Sequence, residues 1–364
     1  MSHIVNMSLS NEELKKPVKM IRRTRDISRF VAMSRGQLPL VLSAPHGGKE
    51  SPSWIPTRTC GPHAADRYTL ELVEALVPLI AKEMGGRAPF AVYNKLHRSK
   101  MDANREINVG TEGGLYASMV HELYHDSLQM CVDEARAFTS NTADQVLVID
   151  MHGYSPLKDW NATRWDNSWI MVGHLVSRKT LRSAIALPNE DWIRGPTSIG
   201  SLLHTEGLWA EPSMHRPHPH RGKYFSGGHI TERYRTTCES TGKITVQTIQ
   251  LELPRAMRND LGTVAPRMAK AIAKLLKRWK IAEPVEQQQD ENGDAIGSGD
   301  KGASGDEDGD DNDDDDAGDG DDDATDDDMV FDDYDEDDDD AVMANGESDQ
   351  PQVKDDGTKT TSML

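Results

Sequence analysis

Two apolar runs in this chain each end on a histidine beside glycine, and that recurrence narrows the available folds more than any other feature. Leu38 to Ala44 runs into Pro45-His46-Gly47-Gly48, and Val146 to Ile149 runs into Asp150-Met151-His152-Gly153. Each run has the length and branched-residue content of a strand buried in a mostly parallel sheet. In open α/β sheets, ligands sit in the crevice beyond the carboxyl ends of the strands. Two imidazoles delivered there from separate strands are the beginning of a metal site.

The rest of the pattern agrees with such a sheet. Leu70, Val73, Leu76, Val77 and Ile80 predict a helix over 66–84, with Asp66 at its opening. Strands are predicted at 91–96, 145–151, 169–172 and 245–253, and helices at 113–138, 198–208 and 264–279. Strands alternating with helices indicate an α/β domain, its mostly parallel sheet covered on both faces.

Charge divides the chain into unlike parts. Residues 283–364 hold 34 Asp and Glu against 3 Lys, while residues 1–282 hold 27 acids and 38 bases, so a part of net charge +11 is joined to one of −31. The acidic part cannot bury enough apolar surface to offset its ordering entropy and reads as a disordered tail. Within it, Met329-Val330-Phe331 with Tyr334 is a short apolar island. The division is a polar basic arm at 1–36, a folded α/β domain at 37–282 and the Asp-rich tail at 283–364. The three cysteines, Cys60, Cys131 and Cys238, lack a C-x-x-C spacing. That argues against a disulfide framework and for a reducing compartment. No apolar stretch has transmembrane length, and a cytoplasmic protein is expected. The basic cluster Lys15, Lys16, Lys19, Arg22, Arg23 and Arg25 offers a nuclear address as the alternative.

Several residues carry chemistry. Asn104 and Arg105, just past the second predicted strand, suit a carboxylate, the guanidinium giving a fork and the amide a further donor. Arg98 supplies a second positive group. Glu252 stands in the apolar Gln250-Leu251-Glu252-Leu253-Pro254. It is either a strand-edge side chain in solvent or a general base. Asp150 either orients His152 or binds metal itself. His229, in Gly227-Gly228-His229-Ile230, has glycines that allow close approach to a ligand. His215, His218 and His220, in a Pro-rich loop, read as exposed.

Pro45-His46-Gly47-Gly48, the Asp66 to Thr69 segment, Asp102 to Arg105, Asp150-Met151-His152-Gly153, Gly227-Gly228-His229-Ile230 and Gln250-Leu251-Glu252 occur in the order of the N-formylglutamate amidohydrolase family. Over residues 38–258 the chain resembles that family, which is similar in fold to zinc carboxypeptidases and aspartoacylases. The resemblance implies a phosphorylase/hydrolase-like three-layer sandwich and zinc-assisted hydrolysis of the amide of a small N-acyl amino acid. By the same resemblance His46 and His152 bind one zinc ion, Asn104 and Arg105 grip the substrate carboxylate, and Glu252 is the catalytic carboxylate. The aspartoacylase-like relatives use His-x-x-Glu, but Lys49 stands three residues after His46 and Glu50 one later. The third ligand is therefore Asp66 or Glu50, with Asp66 preferred. His229 is a candidate for the oxyanion. The competing reading is a catalytically weak or inactive member acting as an interaction protein, its tail binding basic partners. The folded part shows no nucleic-acid module and few aromatics for stacking bases.

Overall fold

Val146–Tyr154, the most apolar of the predicted strands, is buried along nearly its whole length and lies at the middle of the sheet. The computed structural model describes residues 26–139, 145–155, 168–183, 186–187, 189–219 and 224–282. The basic cluster at 15–25, the acidic tail, its Met329–Tyr334 island and His220 lie outside them. The strands are β1 (Val31–Ser34), β2 (Leu40–Ala44), β3 (Phe90–Asn94), β4 (Val146–Tyr154), β5 (Ile170–Gly173), β6 (Ala210–Glu211), β7 (Thr236–Thr237) and β8 (Ile244–Pro254). The helices are α1 (Thr69–Glu83), α2 (Ile107–Thr111), α3 (Leu115–Ala135), α4 (Arg178–Arg182), α5 (Glu190–Arg194), α6 (Ile199–Thr205), α7 (His229–Tyr234), α8 (Arg255–Arg258) and α9 (Leu261–Arg278).

The sheet runs β1-β3-β2-β4-β8-β5-β6, with β7 paired to β8. β3, β2, β4 and β8 are mutually parallel, β1 pairs antiparallel to β3, β5 and β7 pair antiparallel to β8, and β6 is parallel to β5. Helices cover both faces, which makes the α/β three-layer arrangement. On one face Leu42, Ile149, Met151, Ile249 and Leu251 pack with Leu72 and Leu76 of α1 and Ile272 and Leu276 of α9. On the other, Val41, Val148 and Val246 pack with Tyr124 and Leu128 of α3 and Ile230 of α7.

Register explains where polarity enters this second face. Ser43 stands opposite Asp150, Asp150 opposite Gln250, and His152 opposite Glu252. Alternation puts these on the face that begins apolar with Val41 and Val148. The α3 face is thus an apolar core at the amino ends of the strands and a polar site at their carboxyl ends.

The basic arm read as reaching residue 36 gives way to folded structure earlier. Ile27 and Phe30, in a 3-10 turn at Ile27–Phe30, are buried in the α3-side core, and β1 follows on the outer edge of β3. Two apolar residues suffice to anchor an otherwise polar stretch, and the following strand is too short to show a periodicity. No described helix is long and apolar enough to cross a membrane.

Two more histidines sit in the interior. His174 follows β5 and His125 lies on α3, and burial pushes each down to about 3 from the ordinary 6.5. Such a group stays neutral in the folded protein while the unfolded chain takes up a proton below pH 6.5. Its stabilisation is therefore complete above that pH and is lost progressively as pH falls toward 3. Urea unfolding should show about 2 kcal/mol lost per histidine between pH 7 and pH 5. His174→Leu should remove one such proton from the pH slope, and an unchanged slope would contradict the assignment.

Candidate metal centre

β2 and β4 are adjacent and parallel, so the residues that follow Ala44 and Ile149 emerge at one edge. His46 and His152 are both buried there, their ring centroids 4.7 Å apart in an edge-on pair. The chain beyond His46 runs hard against its surroundings. A Cβ on Gly48 would lie 2.3 Å from the Lys95 carbonyl carbon, and one on Gly153 would lie 2.2 Å from Nε of Arg258. Glycine at 48 lets two backbones approach, and glycine at 153 leaves room for the buried Arg258 side chain.

Asp66 completes the group. Its backbone N–H donates to the His46 carbonyl (3.0 Å), which closes the intervening loop and carries the carboxylate back to the histidine. Asp66 Oδ2 lies 3.3 Å from Nδ1 of His46 and 3.1 Å from Nδ1 of His152, and it accepts the N–H of Gly153 at 3.2 Å. The predicted helix begins later than Asp66. Tyr68 is the residue before its first turn, while the Asp66 carbonyl accepts the Thr69 N–H and hydroxyl. The Asp66 side chain is thereby left for the histidines. Glu50, the alternative third ligand, turns the other way and pairs with Arg29 at 2.6 Å. Its backbone bridges to Leu96.

Each histidine is held from behind by its own carboxylate. Nε2 of His46 lies 2.6 Å from Asp102 Oδ1, and Nε2 of His152 lies 2.8 Å from Asp150 Oδ2. Ser43 donates to Asp150 Oδ1 (2.6 Å), so the hydroxyl of Tyr124, 2.7 Å from Ser43 Oγ, donates to the serine. Burial alone would raise Asp66, but His152, His46 and the nearby Arg98 hold it far below the carboxylate range. Asp102 is treated alike: burial opposes its charge, and Arg98 and His46 outweigh burial. Burial would lower His152, yet Asp150 and Asp66 raise it well above the ordinary imidazole value.

His46, Asp66 and His152, all buried and each offering a ligand atom within 4.8 Å of the others, form the metal-competent His/Cys/Asp/Glu group among the described residues. The donor set fits a divalent ion of the zinc type: imidazole nitrogens toward one centre, a carboxylate completing three protein ligands, and outer carboxylates fixing both rings. A divalent cation would satisfy the same three side chains.

Glu252 is brought beside this group by register with His152 and is buried. It does not face solvent at a strand edge. Burial, with Asp66 and Asp150 nearby, pushes its carboxyl up to about 7, against the opposing pull of His152 and Arg98. Gln250 donates to Glu252 Oε1 at 3.0 Å.

The remaining predicted residues are distributed unequally. Asn104 and Arg105 do not form one fork. Asn104 is buried, its Oδ1 accepting the Ile230 N–H (2.8 Å) and its Nδ2 3.3 Å from Nε2 of His152. Arg105 is half-buried and contacts the Asn104 carbonyl through Nη1 at 3.3 Å. Arg98 is braced by carboxylates, with Nε on Asp102 Oδ2 (2.9 Å) and Nη1 3.7 Å from Asp66 Oδ1. His229 begins α7 with Nδ1 3.5 Å from Glu106, its ring against His125, and it lies outside the metal-competent group. Sequence reasoning gave no role to Ser43, although a serine inside the run Leu40-Val41-Leu42-Ser43-Ala44 is the sort of interruption that marks a polar partner. Tyr124, hidden in the helical period of α3, left no such signal.

Neither a family model nor a curated protein sequence matches this chain. Solved structures that overlap it include an N-formylglutamate amidohydrolase from Ralstonia eutropha JMP134, with TM-score 0.42 and 13% identity over 69% of this chain and 97% of that one. The gene product Atu2144 from Agrobacterium tumefaciens overlaps with TM-score 0.41 and 12% identity over 70% of this chain and 96% of its own. These overlaps are loose, and what the crevice does follows from its side chains.

Proposed function

We propose that the crevice is the active site of a hydrolase that takes one zinc ion per chain and cleaves the amide of a small, carboxylate-bearing N-acyl amino acid. The observation that carries this reading is the convergence of His46 Nδ1 and His152 Nδ1 on Asp66 Oδ2 while each Nε2 rests on its own carboxylate. A buried structural ion pair needs no such duplication. Two imidazoles fixed from behind and aimed at one carboxylate are what a three-ligand catalytic metal site requires.

A bound zinc ion supplies Lewis acidity, polarising an amide carbonyl and acidifying water. The protein's own groups do the rest. Asp102 and Asp150 fix the tautomer and direction of the two imidazoles. Glu252, its pKa pushed up to about 7, accepts a proton from the attacking water and delivers it to the departing nitrogen. Burial keeps bulk water from competing for that proton. Arg105, which is paired with no carboxylate among the described residues, holds the substrate carboxylate and so sets the amide against Glu252. Asn104, turned inward, accepts the Ile230 N–H and so fixes the start of α7.

The reading is tested by offering a panel of N-acyl amino acids, N-formyl-L-glutamate among them, to zinc-loaded protein. Release of the acyl group that stops on chelation supports it, and no hydrolysis by fully loaded protein overturns it. Arg105→Ala should raise KM by about 10- to 100-fold and leave kcat within a few-fold, because it removes binding common to ground and transition states. Steady-state kinetics with a carboxamide analogue checks the point. Wild type should discriminate against the analogue and the variant should not.

A further inference from the structure

α3 carries His121-Glu122-Leu123-Tyr124-His125, which has the H-E-x-x-H spacing of a helical zinc site. The structure gives these histidines another task. His121 donates from Nε2 to the Arg105 carbonyl at 2.9 Å, and His125 from Nε2 to the Ala103 carbonyl at 3.0 Å. Carbonyls only accept, so both rings carry their proton on Nε2, with no lone pair there for a metal. Glu122, which would be the base of such a motif, is exposed.

The held loop alternates. Ala103 and Arg105 turn their carbonyls to α3, while the side chain of Asp102 reaches Nε2 of His46 and that of Asn104 lies by Nε2 of His152. Each α3 histidine therefore grips a carbonyl next to a residue that touches one of the two site histidines. The rings are 4.5 Å apart on successive turns, and the Tyr234 hydroxyl lies 3.0 Å from His125 Nδ1. The loop is also tied on its far side by the Asp102 N–H to the Gly110 carbonyl (2.9 Å).

We infer that His121 and His125 are positioning residues: a two-point clamp on residues 102–105 that sets the carboxylate of Asp102 and the amide of Asn104 against the metal-binding histidines. The inference rests on the metal reading of His46, Asp66 and His152, and its test separates the two. Zinc titration, thermal melting and amide hydrogen exchange are compared for wild type, His121→Leu, His125→Leu, the Gln variants at both positions, and Leu128→Ala. The last thins the same helix interface without touching the loop.

Wild type should bind one zinc. The Leu variants should still bind one, about 10- to 100-fold more weakly, as loss of outer-shell support does elsewhere. Their Asp102 and Asn104 amides should exchange faster while those of β4 hold. Gln, which keeps an N–H near the Nε2 position, should restore most of both. Leu128→Ala should lower the melting temperature without moving zinc affinity. Two zinc ions in wild type, one of them lost in the Leu variants, would overturn the clamp in favour of a metal motif. Leu variants that melt earlier but keep wild-type affinity and exchange would overturn it as mere packing. Wild type that binds no zinc contradicts the metal reading alone, and the exchange of Asp102 and Asn104 then decides the clamp.

Discussion

His152→Ala should lose zinc and hydrolysis together. The substitution removes one of three donor atoms and also the proton-bearing partner of Asp150, a carboxylate with no exposed surface. Loss of an outer-shell partner typically costs 10- to 100-fold in affinity, so removal of the ligand itself should cost at least about a thousandfold. The stranded Asp150 charge adds a folding penalty, so circular dichroism and a melt accompany the measurement. His152→Gln, which keeps a donor toward Asp150, guards against misreading an unfolded protein. Zinc content by mass spectrometry should fall from one per chain to near zero in both variants. Activity that survives in either would remove His152 from the site.

Glu252→Gln should do the opposite to the metal and the same to the rate. Glu252 lies beside the metal-competent group and outside it, so zinc content should stay at one per chain. Hydrolysis should fall by about 10²- to 10⁴-fold, the usual contribution of a general base. Substrate affinity should change little, which places the loss in kcat. The pH profile gives a second readout. Burial raises the carboxyl to about 7, and only the ionised form accepts a proton, so the wild-type rate rises with pH and levels off. A bound cation favours the ionised form, so the midpoint of that rise should lie no higher than about 7. The residual activity of Glu252→Gln should lack this limb. A variant with wild-type kcat, or with the limb intact, would assign the proton transfer elsewhere.

The sheet was legible in the sequence because its inner strands are buried on both faces and therefore nearly continuous in apolar residues. Val146 to Ile149 and Leu38 to Ala44 carry that signal. The edge strands β1, β6 and β7 carry none, being two to four residues long and defined by what they pair with. His46 and His152 could be found because a strand end fixes where a side chain goes. Asp66 could be preferred but not placed, since its position depends on one hydrogen bond from its N–H back to the His46 carbonyl, and no local pattern encodes a loop's return. Glu50 is nearer to His46 in sequence, yet its backbone bridge to Leu96 and its pairing with Arg29 carry it off the site. Asn104 and Arg105 look like a fork because they are adjacent. The chain turns at Ala103 and Asn104 and bends at Arg105, so the two side chains diverge, Asn104 toward His152 and Arg105 away from it.

In the proposed site His46, Asp66 and His152 hold one metal ion through Nδ1, a carboxylate oxygen and Nδ1. Crystals of the protein grown with zinc and measured across the zinc absorption edge test it most directly. One strong anomalous peak is expected about 2.0–2.2 Å from all three atoms. A peak on the His121–His125 pair, or zinc-loaded crystals with no peak between His46, Asp66 and His152, would contradict it.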